Sequence, residues 1–424
     1  MFRSVEWGSA IAAMIVLAAC ASGGAGAAKA TLDAAAEAYV KLVLAVGRHD
    51  PLYVDAFYGP EDWKTESEAG APLALDELAR RARDLLAQVR AAEGPADRKR
   101  YIEKQLVAVE AQIRRLSGER FTLEQECELL FDARPPRHAV EEFRAAHGAL
   151  EKLVPGTGPL SERIETMRRA IRVPREHLEA TVRAALATSR AAGAPQAGLP
   201  ESESFEFALV TGKPWGAYNW YLGNYRSRIE LNVDLPTELN SLLGTMCHEG
   251  YPGHHTYNAL LEDRLMKGKG WVEYAVYPLY SPQSLLAEGT ANAAEDLLFS
   301  DDERRRVLAS VLAPVAHVDP KAVLAWDAVR EAMHPLRHVR PEAARMLLDE
   351  GMTEDDAVAF IRTWSLVDEA KARKAIDFAR TYRSYVYNYT LGEDLVRDYI
   401  GTGPDRIERF YGILSRPVVP SELK

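Results

Sequence analysis

The sequence predicts a mainly α-helical protein with one small β element, and three observations carry that expectation. From residue 31 to about 192, apolar residues recur at three and four, as at Leu75, Leu78, Leu85, Leu86 and Val89, with charge on the opposite face. Only near 203–232 does alternation with aromatic and β-branched residues appear, which predicts a small antiparallel hairpin or three-stranded sheet. Beyond that, helical periodicity resumes and runs to the C-terminus.

The N-terminus is a different kind of segment. Arg3 gives a short positive start, and Ile11 to Ala19 form an apolar run too short to span a bilayer but suited to a signal-peptide core. The run ends in Leu17-Ala18-Ala19-Cys20, which resembles a bacterial lipobox with Cys20 as the acylated residue. Residues 1–19 are therefore expected to be a lipoprotein signal peptide and 20–31 a low-complexity tether, which would place the chain in the bacterial cell envelope, held by lipid alone and facing the periplasm or outer membrane. Of the other two cysteines, Cys127 and Cys247, no disulfide is expected, because two residues do not make a framework.

Along the helical stretch, breaks fall at Gly94-Pro95, at 134–137 with its Pro135-Pro136 pair, and at 155–159. Thr122 followed by Gln125 is a capping-box pattern, and Thr353 followed by Asp356 resembles a second helix start. Residues 191–200, rich in Ala, Gly and Pro, are the expected internal boundary, separating a helical region 32–192 from a region 200–424. In the β region, the segments 205–210, 217–222 and 227–232 read as strands, the last two joined at Gly223-Asn224. Helices are then expected at roughly 237–264, 284–299, 302–312 and 320–333.

Composition bounds the function. The chain has 424 residues, 47% apolar and 27% charged, enough for a sizeable core. Its net charge of −10 argues against nucleic-acid binding, which calls for a basic face. No P-loop, dinucleotide glycine turn or nucleophile elbow is present, and Ser281 and Ser284 carry no nucleophile pattern.

The chemistry-bearing segment is His248-Glu249-Gly250-Tyr251-Pro252-Gly253-His254-His255. Three of the ten histidines crowd into it beside a glutamate. A neutral imidazole ligates a metal, and an adjacent carboxylate serves as general base on a water. The spacing His-Glu-x-x-His is absent, because the fifth position is Pro252. On a regular helix, His255 would lie about 20° from His248 in azimuth but ~10 Å along the axis, and His254 about 120° away. Pro252 cannot donate to the carbonyl of His248 and Gly253 loosens the turn, so a kink is expected, after which either His254 or His255 could reach the metal. Surface histidines at a capped helix end are the plain alternative, but a Pro-Gly pair inside an apolar helix then costs stability without structural return. Downstream, Glu288, Asn292 and Glu295 share one helix face among small apolar residues, where a carboxylate is costly to bury unless paired or metal-bound. Glu288 is the expected third ligand, with Asn292 or Glu295 orienting a histidine by hydrogen bond.

His-Glu-x-x-Pro-Gly-His-His, followed some forty residues later by Glu-Gly in a helix, resembles a bacterial family known as domain of unknown function 885, many of whose members are lipoproteins. The likeness covers most of the chain after the tether and is most specific at 248–255 and 288–295. It implies a large helical zincin-like domain related to the gluzincin metallopeptidases, with two His and one Glu on Zn²⁺. Many relatives carry Glu-Gly-Trp-Ala where this chain has Glu288-Gly289-Thr290-Ala291, a departure that bears on substrate preference. The segment from Tyr385 to Gly392 resembles the family's C-terminal Tyr-containing helix start, which makes Tyr389 the candidate donor to a developing oxyanion. The stretch from Tyr218 to Leu231, with Tyr221, is a candidate edge for an extended peptide, and Arg226, Arg383 and His334 are candidates to bind a substrate carboxylate.

The combined expectation is a zinc metallopeptidase acting on short extended peptides, with Glu249 as general base. A metal- or peptide-binding lipoprotein without catalysis, and a zinc hydrolase of a non-peptide amide or ester, are the alternatives.

Overall fold

The computed structural model describes residues 31–213 and 215–423. Cys20, the signal segment and most of the tether lie outside the described residues. The N-terminal half is helical: α1 (Leu32–Gly47), α2 (Glu61–Glu68), α3 (Leu75–Ala91), α4 (Ala96–Leu116), α5 (Leu123–Phe131), α6 (Val140–Leu153), α7 (Leu160–Ala170) and α8 (Arg175–Ala197). The three sequence breaks fall between α3 and α4, α5 and α6, and α6 and α7. On α3 the apolar stripe points inward, with Leu78, Leu85, Leu86 and Val89 buried and Leu75 partly so. The capping box closes on α5: Thr122 Oγ1 accepts from the Gln125 amide at 3.2 Å and Gln125 Oε1 from the Thr122 amide at 2.9 Å.

Within the expected boundary at 191–200, α8 runs on through Pro195 to Ala197 and stops at left-handed Gly198. Residues on the two sides of it also share a core: Tyr39, Ile102 and Phe131 pack in one cluster with Leu285, Leu391 and Phe410.

The β region forms β2 (Ser204–Val210), β3 (Ala217–Gly223) and β4 (Arg226–Asn232), in the order β2-β4-β3. β3 and β4 make the expected antiparallel hairpin at Gly223-Asn224, but β2 pairs with β4 in parallel, so the sheet is mixed. β4 is thus the central strand, and of the proposed peptide-pairing stretch only β3 is an edge. A second sheet was not expected: β1 (Val54–Phe57) pairs antiparallel with β5 (Val276–Pro278). β5 is tied to α4 by a buried ion pair just before it, Arg98 Nε to Glu273 Oε1 at 2.6 Å.

The single helix expected over 237–264 is divided. α9 (Leu239–Glu249) ends at Gly250, and α10 (His254–Leu261) starts after a turn containing a cis Tyr251-Pro252 peptide. After β5 comes α11 (Pro282–Leu298), started by the Ser281 hydroxyl accepting from the Ser284 amide and buried along most of its length. The remainder is α12 (Asp301–Arg306), α13 (Ala313–Ala316), α14 (Pro320–Asp327), α15 (Arg330–Met333), α16 (Val339–Asp349), α17 (Glu354–Ser365), α18 (Glu369–Tyr382), α19 (Asn388–Ile400) and α20 (Arg406–Ile413). Thr353 caps α17 as its sequence suggests. α11 and α19 cross at bare glycines: a Cβ on Gly289 would sit 2.3 Å from the Gly392 carbonyl oxygen. Just before α19, the Tyr385 hydroxyl donates to Glu288 on α11. Among the described residues no helix is long and apolar enough to cross a membrane.

Candidate metal centre

Four elements deliver the site. α9 ends with His248 and Glu249, α10 begins with His254, α11 presents Glu288 and Asn292, and the start of α19 with the 3-10 turn Arg383–Tyr387 before it supplies Tyr389 and Tyr385. His248 Nε2 lies 3.0 Å from His254 Nε2 and 3.4 Å from Glu288 Oε2, and His254 Nε2 lies 3.6 Å from Glu288 Oε1. Ligands ~2.0–2.1 Å from a tetrahedral zinc stand roughly 3.3–3.4 Å apart, so this triangle has the size the ion requires. A carboxylate oxygen of Glu249 lies within 4.8 Å of both imidazoles.

Hydrogen bonds fix the donor atoms. Asn292 Nδ2 donates to the Tyr389 carbonyl at 2.8 Å, which turns Asn292 Oδ1 towards His248 Nδ1 at 3.0 Å. Asn292 Oδ1 can only accept, so His248 carries its proton on Nδ1 and aims the Nε2 lone pair inward. There it meets a second imidazole nitrogen and a carboxylate. Glu288 Oε2 is buried 3.4 Å from His248 Nε2, while Oε1 accepts from the Tyr385 hydroxyl at 2.7 Å. Two imidazole nitrogens and a buried carboxylate oxygen this close together are costly unless a proton or a metal cation lies among them. The residues present therefore fit a zinc-type ion.

In the metal-free centre the two imidazoles differ, and an ion binding there would displace a proton from His248. Burial pushes His254 down to about 4, which keeps it in the neutral form that ligates. For His248 burial opposes the charge, but the hydrogen bond to Glu288 and the charge of Glu249 outweigh it and raise the ring to about 9. Burial likewise opposes ionisation of Glu288, yet His254, His248 and Tyr385 hold its carboxyl below the usual range. Burial raises Glu249 to about 7, against the pull of His248 and with added repulsion from Glu288 and Asp55.

His255, one of the two alternatives for the second imidazole, is turned away from this centre. It is fully buried on the opposite side of α10, with Nδ1 2.8 Å from Ser227 Oγ and Nε2 2.8 Å from Glu203 Oε2. Tyr251 donates to the same Glu203 oxygen at 2.6 Å and Arg190 pairs with Oε1. Glu203, which no sequence signal marks, thus anchors the turn between α9 and α10 from behind. We expect His255→Ala to cost about 3 kcal/mol or more, by leaving a buried carboxylate short of a partner, without altering the cluster of His248, His254 and Glu288; calorimetric unfolding checks the cost. Burial opposes ionisation of Glu203, but the bonds from His255 and Tyr251 and the charge of Arg190 hold it at about 2. Its folded value is depressed, so its contribution to stability is complete above the ordinary glutamate range and is lost as pH falls towards about 2.

The other nominated residues divide as follows. Asn292 orients His248, whereas Glu295 lies against α9 at Gly244, where a Cβ would be 2.8 Å from its Oε2. Tyr389 stands partly open, its ring 5.7 Å from that of Tyr385. Burial, with the charges of Glu288 and Glu249, raises its phenol well above the ordinary value, so the hydroxyl keeps its proton and can donate. Tyr221 is committed elsewhere, its hydroxyl donating to Glu262 at 2.5 Å. Arg383 is spent on Glu126 and the Phe121 carbonyl, His334 sits against Arg337 and Glu393, and Arg226 is exposed at the start of β4. None of these four faces the centre, because each has its own structural partner or points to solvent. Cys127 and Cys247 are buried free thiols.

Two residues that sequence reading missed do approach the centre. Asn219 Nδ2 on β3 donates to the Glu249 carbonyl at 2.6 Å, and Asp55 on β1 accepts from the Tyr218 hydroxyl. A four-residue strand amid helices gives no periodic signal, and its partner lies far along the chain.

Neither a protein-family model nor a curated protein sequence matches the chain. Solved structures do resemble it. A "putative lipoprotein" from Colwellia psychrerythraea aligns with TM-score 0.55 and 15% identity over 82% of this chain and 65% of that one. At that identity the likeness establishes a shared fold alone, and this chain spans about 65% of that protein's length. A "putative lipoprotein of unknown function" from Shewanella oneidensis gives TM-score 0.45 at 13% identity, over 93% of this chain and 82% of that one. A protein designated BsuCP gives 0.42 at 10%, over 91% and 88%.

Proposed function

We propose that this chain is a zinc-dependent hydrolase of peptide bonds, anchored in the bacterial envelope through Cys20. The observation that supports it most is the convergence of His248 Nε2, His254 Nε2 and the Glu288 carboxylate at 3.0 to 3.6 Å, with Glu249 alongside. The resemblance at 248–255 and 288–295 favours a peptide over other amides or esters, and that choice of substrate rests on analogy. The lipobox-like Leu17-Ala18-Ala19-Cys20 supports the anchor, and a protein sharing the fold carries the description of lipoprotein.

His248, His254 and Glu288 would hold a zinc ion, which when bound would supply Lewis acidity to a carbonyl and to a water. Glu249 accepts a proton from water at its carboxylate and later delivers it to the leaving nitrogen. The Tyr389 hydroxyl, kept protonated, donates to the oxygen on which charge develops. Asn292 holds the tautomer of His248, and Tyr385 holds Glu288.

The test is metal content and cleavage together. The purified mature chain is expected to carry about one zinc and to cut members of a peptide library, and His254→Ala to lose both. A wild-type chain that stays metal-free after zinc is supplied would sink the proposal. Zinc without cleavage would favour a binding lipoprotein or a non-peptide substrate.

A further inference from the structure

We propose that Asp55 forms an ammonium-binding subsite beside the metal centre, so that the site selects peptides by a free α-amino group. The inference deepens the hydrolase reading and rests on it for its biological meaning.

The geometry begins with β1. Val54 pairs with Pro278 and Ala56 with Tyr277, so Asp55 is the extra residue of a β-bulge on the strand beside the site. Bulges re-aim a side chain out of the ladder and are frequent beside functional sites. Asp55 is half-buried, and its Oδ1 accepts from the Tyr218 hydroxyl on β3. The next residue on β3, Asn219, donates to the Glu249 carbonyl, so one strand ties Asp55 and the proposed base into a single frame. The charge of Asp55 acts on Glu249, and that of Glu288 acts on Asp55.

Among the described residues no Lys or Arg answers this charge: none is among the groups acting on Asp55, Glu249 or His254, and no ion pair includes Asp55. A divalent ion on the histidines balances Glu249 and Glu288. Asp55 is then a third carboxylate, half-buried and hydrogen-bonded to a neutral phenol. Burying a carboxylate this way is unfavourable until a cationic donor reaches it. The nominated carboxylate-binding residues Arg226, Arg383 and His334 are exposed or otherwise paired, so none of the three serves as a receptor for a peptide C-terminus at this centre. A lysine side chain offers the same ammonium chemistry, and the test separates the two sources.

The experiment measures binding by calorimetry to the zinc-loaded mature chain carrying Glu249→Gln, with and without Asp55→Asn. The probes are Ala-Phe-Ala amide, its N-acetyl form, and N-acetyl-Lys-Phe-Ala amide. With Asp55 present, the free amine is expected to bind roughly 10- to 100-fold more tightly than the acetylated peptide, the range of a charge-assisted hydrogen bond. With Asp55→Asn the ratio is expected to collapse towards one, at unchanged zinc stoichiometry. Recovery of tight binding by the lysine peptide, dependent on Asp55, would support the ammonium site and assign it to a side chain. Equal affinity of the free and acetylated peptides with Asp55 present, no binding of either, or a contrast that survives Asp55→Asn, would overturn the proposal. Should Asp55→Asn not fold, Tyr218→Phe, which removes only the hydroxyl holding Asp55, is expected to shrink the contrast; an undiminished contrast there counts against it. A binding contrast in a chain whose wild type cleaves no peptide would instead overturn the hydrolase reading and leave the amine site standing.

Discussion

Glu249→Gln is expected to lower peptide hydrolysis by about 10²–10⁴-fold while the chain still binds one zinc. The substitution keeps the size of the side chain and removes its capacity to take a proton. The Glu249 backbone carbonyl, which accepts from Asn219 Nδ2, is untouched, so the end of α9 and the placement of His248 are retained. The three groups at ligand distance, His248, His254 and Glu288, are also intact. Loss of turnover with metal retained therefore separates the base from the ligands. Glu288→Gln serves as the contrast, since it removes the anionic ligand and is expected to lose metal and turnover together. Steady-state kinetics on a cleaved peptide, with zinc measured on the same samples, reads both. A Glu249→Gln chain with wild-type turnover would mean that another group takes the proton. In a binding lipoprotein, by comparison, the substitution would leave ligand affinity nearly untouched.

Much of this site was legible because its signals are local. Pro252 and Gly253 announce a break in an apolar helix, and the break lies between α9 and α10 where they stand. Glu288 and Asn292 share a face because α11 is a regular helix, so their spacing places them together. The choice between His254 and His255 was not legible. Azimuth on an ideal helix favours His255, and that argument fails once the helix is interrupted, for α10 starts afresh and His254 becomes its first residue. Asp55 and Glu203 were invisible for a different reason: each acquires meaning only from partners brought by tertiary structure, Tyr218 for one and His255, Tyr251 and Arg190 for the other. The parallel pairing of β2 with β4 escaped for the same reason, since a hairpin signal encodes only neighbouring strands.

Gly253→Ala is expected to cost about 3 kcal/mol of stability and to abolish stoichiometric zinc binding. A Cβ at this position would lie 1.8 Å from the His248 carbonyl oxygen, 2.4 Å from its carbon and 2.5 Å from the Cys247 oxygen. All three are backbone atoms, so no rotamer change relieves the contact. The turn is also tied on both sides, because the Gly253 amide donates to the Cys247 carbonyl at 3.0 Å and its carbonyl accepts from the Tyr257 amide at 2.9 Å. Accommodating a methyl group means moving the end of α9 away from the start of α10. Those two ends carry His248 and His254, whose nitrogens must stay about 3 Å apart to share an ion. His254→Ala is the control: it removes a ligand without touching the turn and should lose zinc at little cost to the metal-free fold. Unfolding calorimetry in chelator, with zinc titration of each variant, distinguishes the two. If Gly253→Ala binds zinc as the wild type does, the close approach of the backbone does not set the ligand spacing. If instead it loses stability and zinc together, the Pro-Gly turn is the element that converts an ordinary helix end into a metal site.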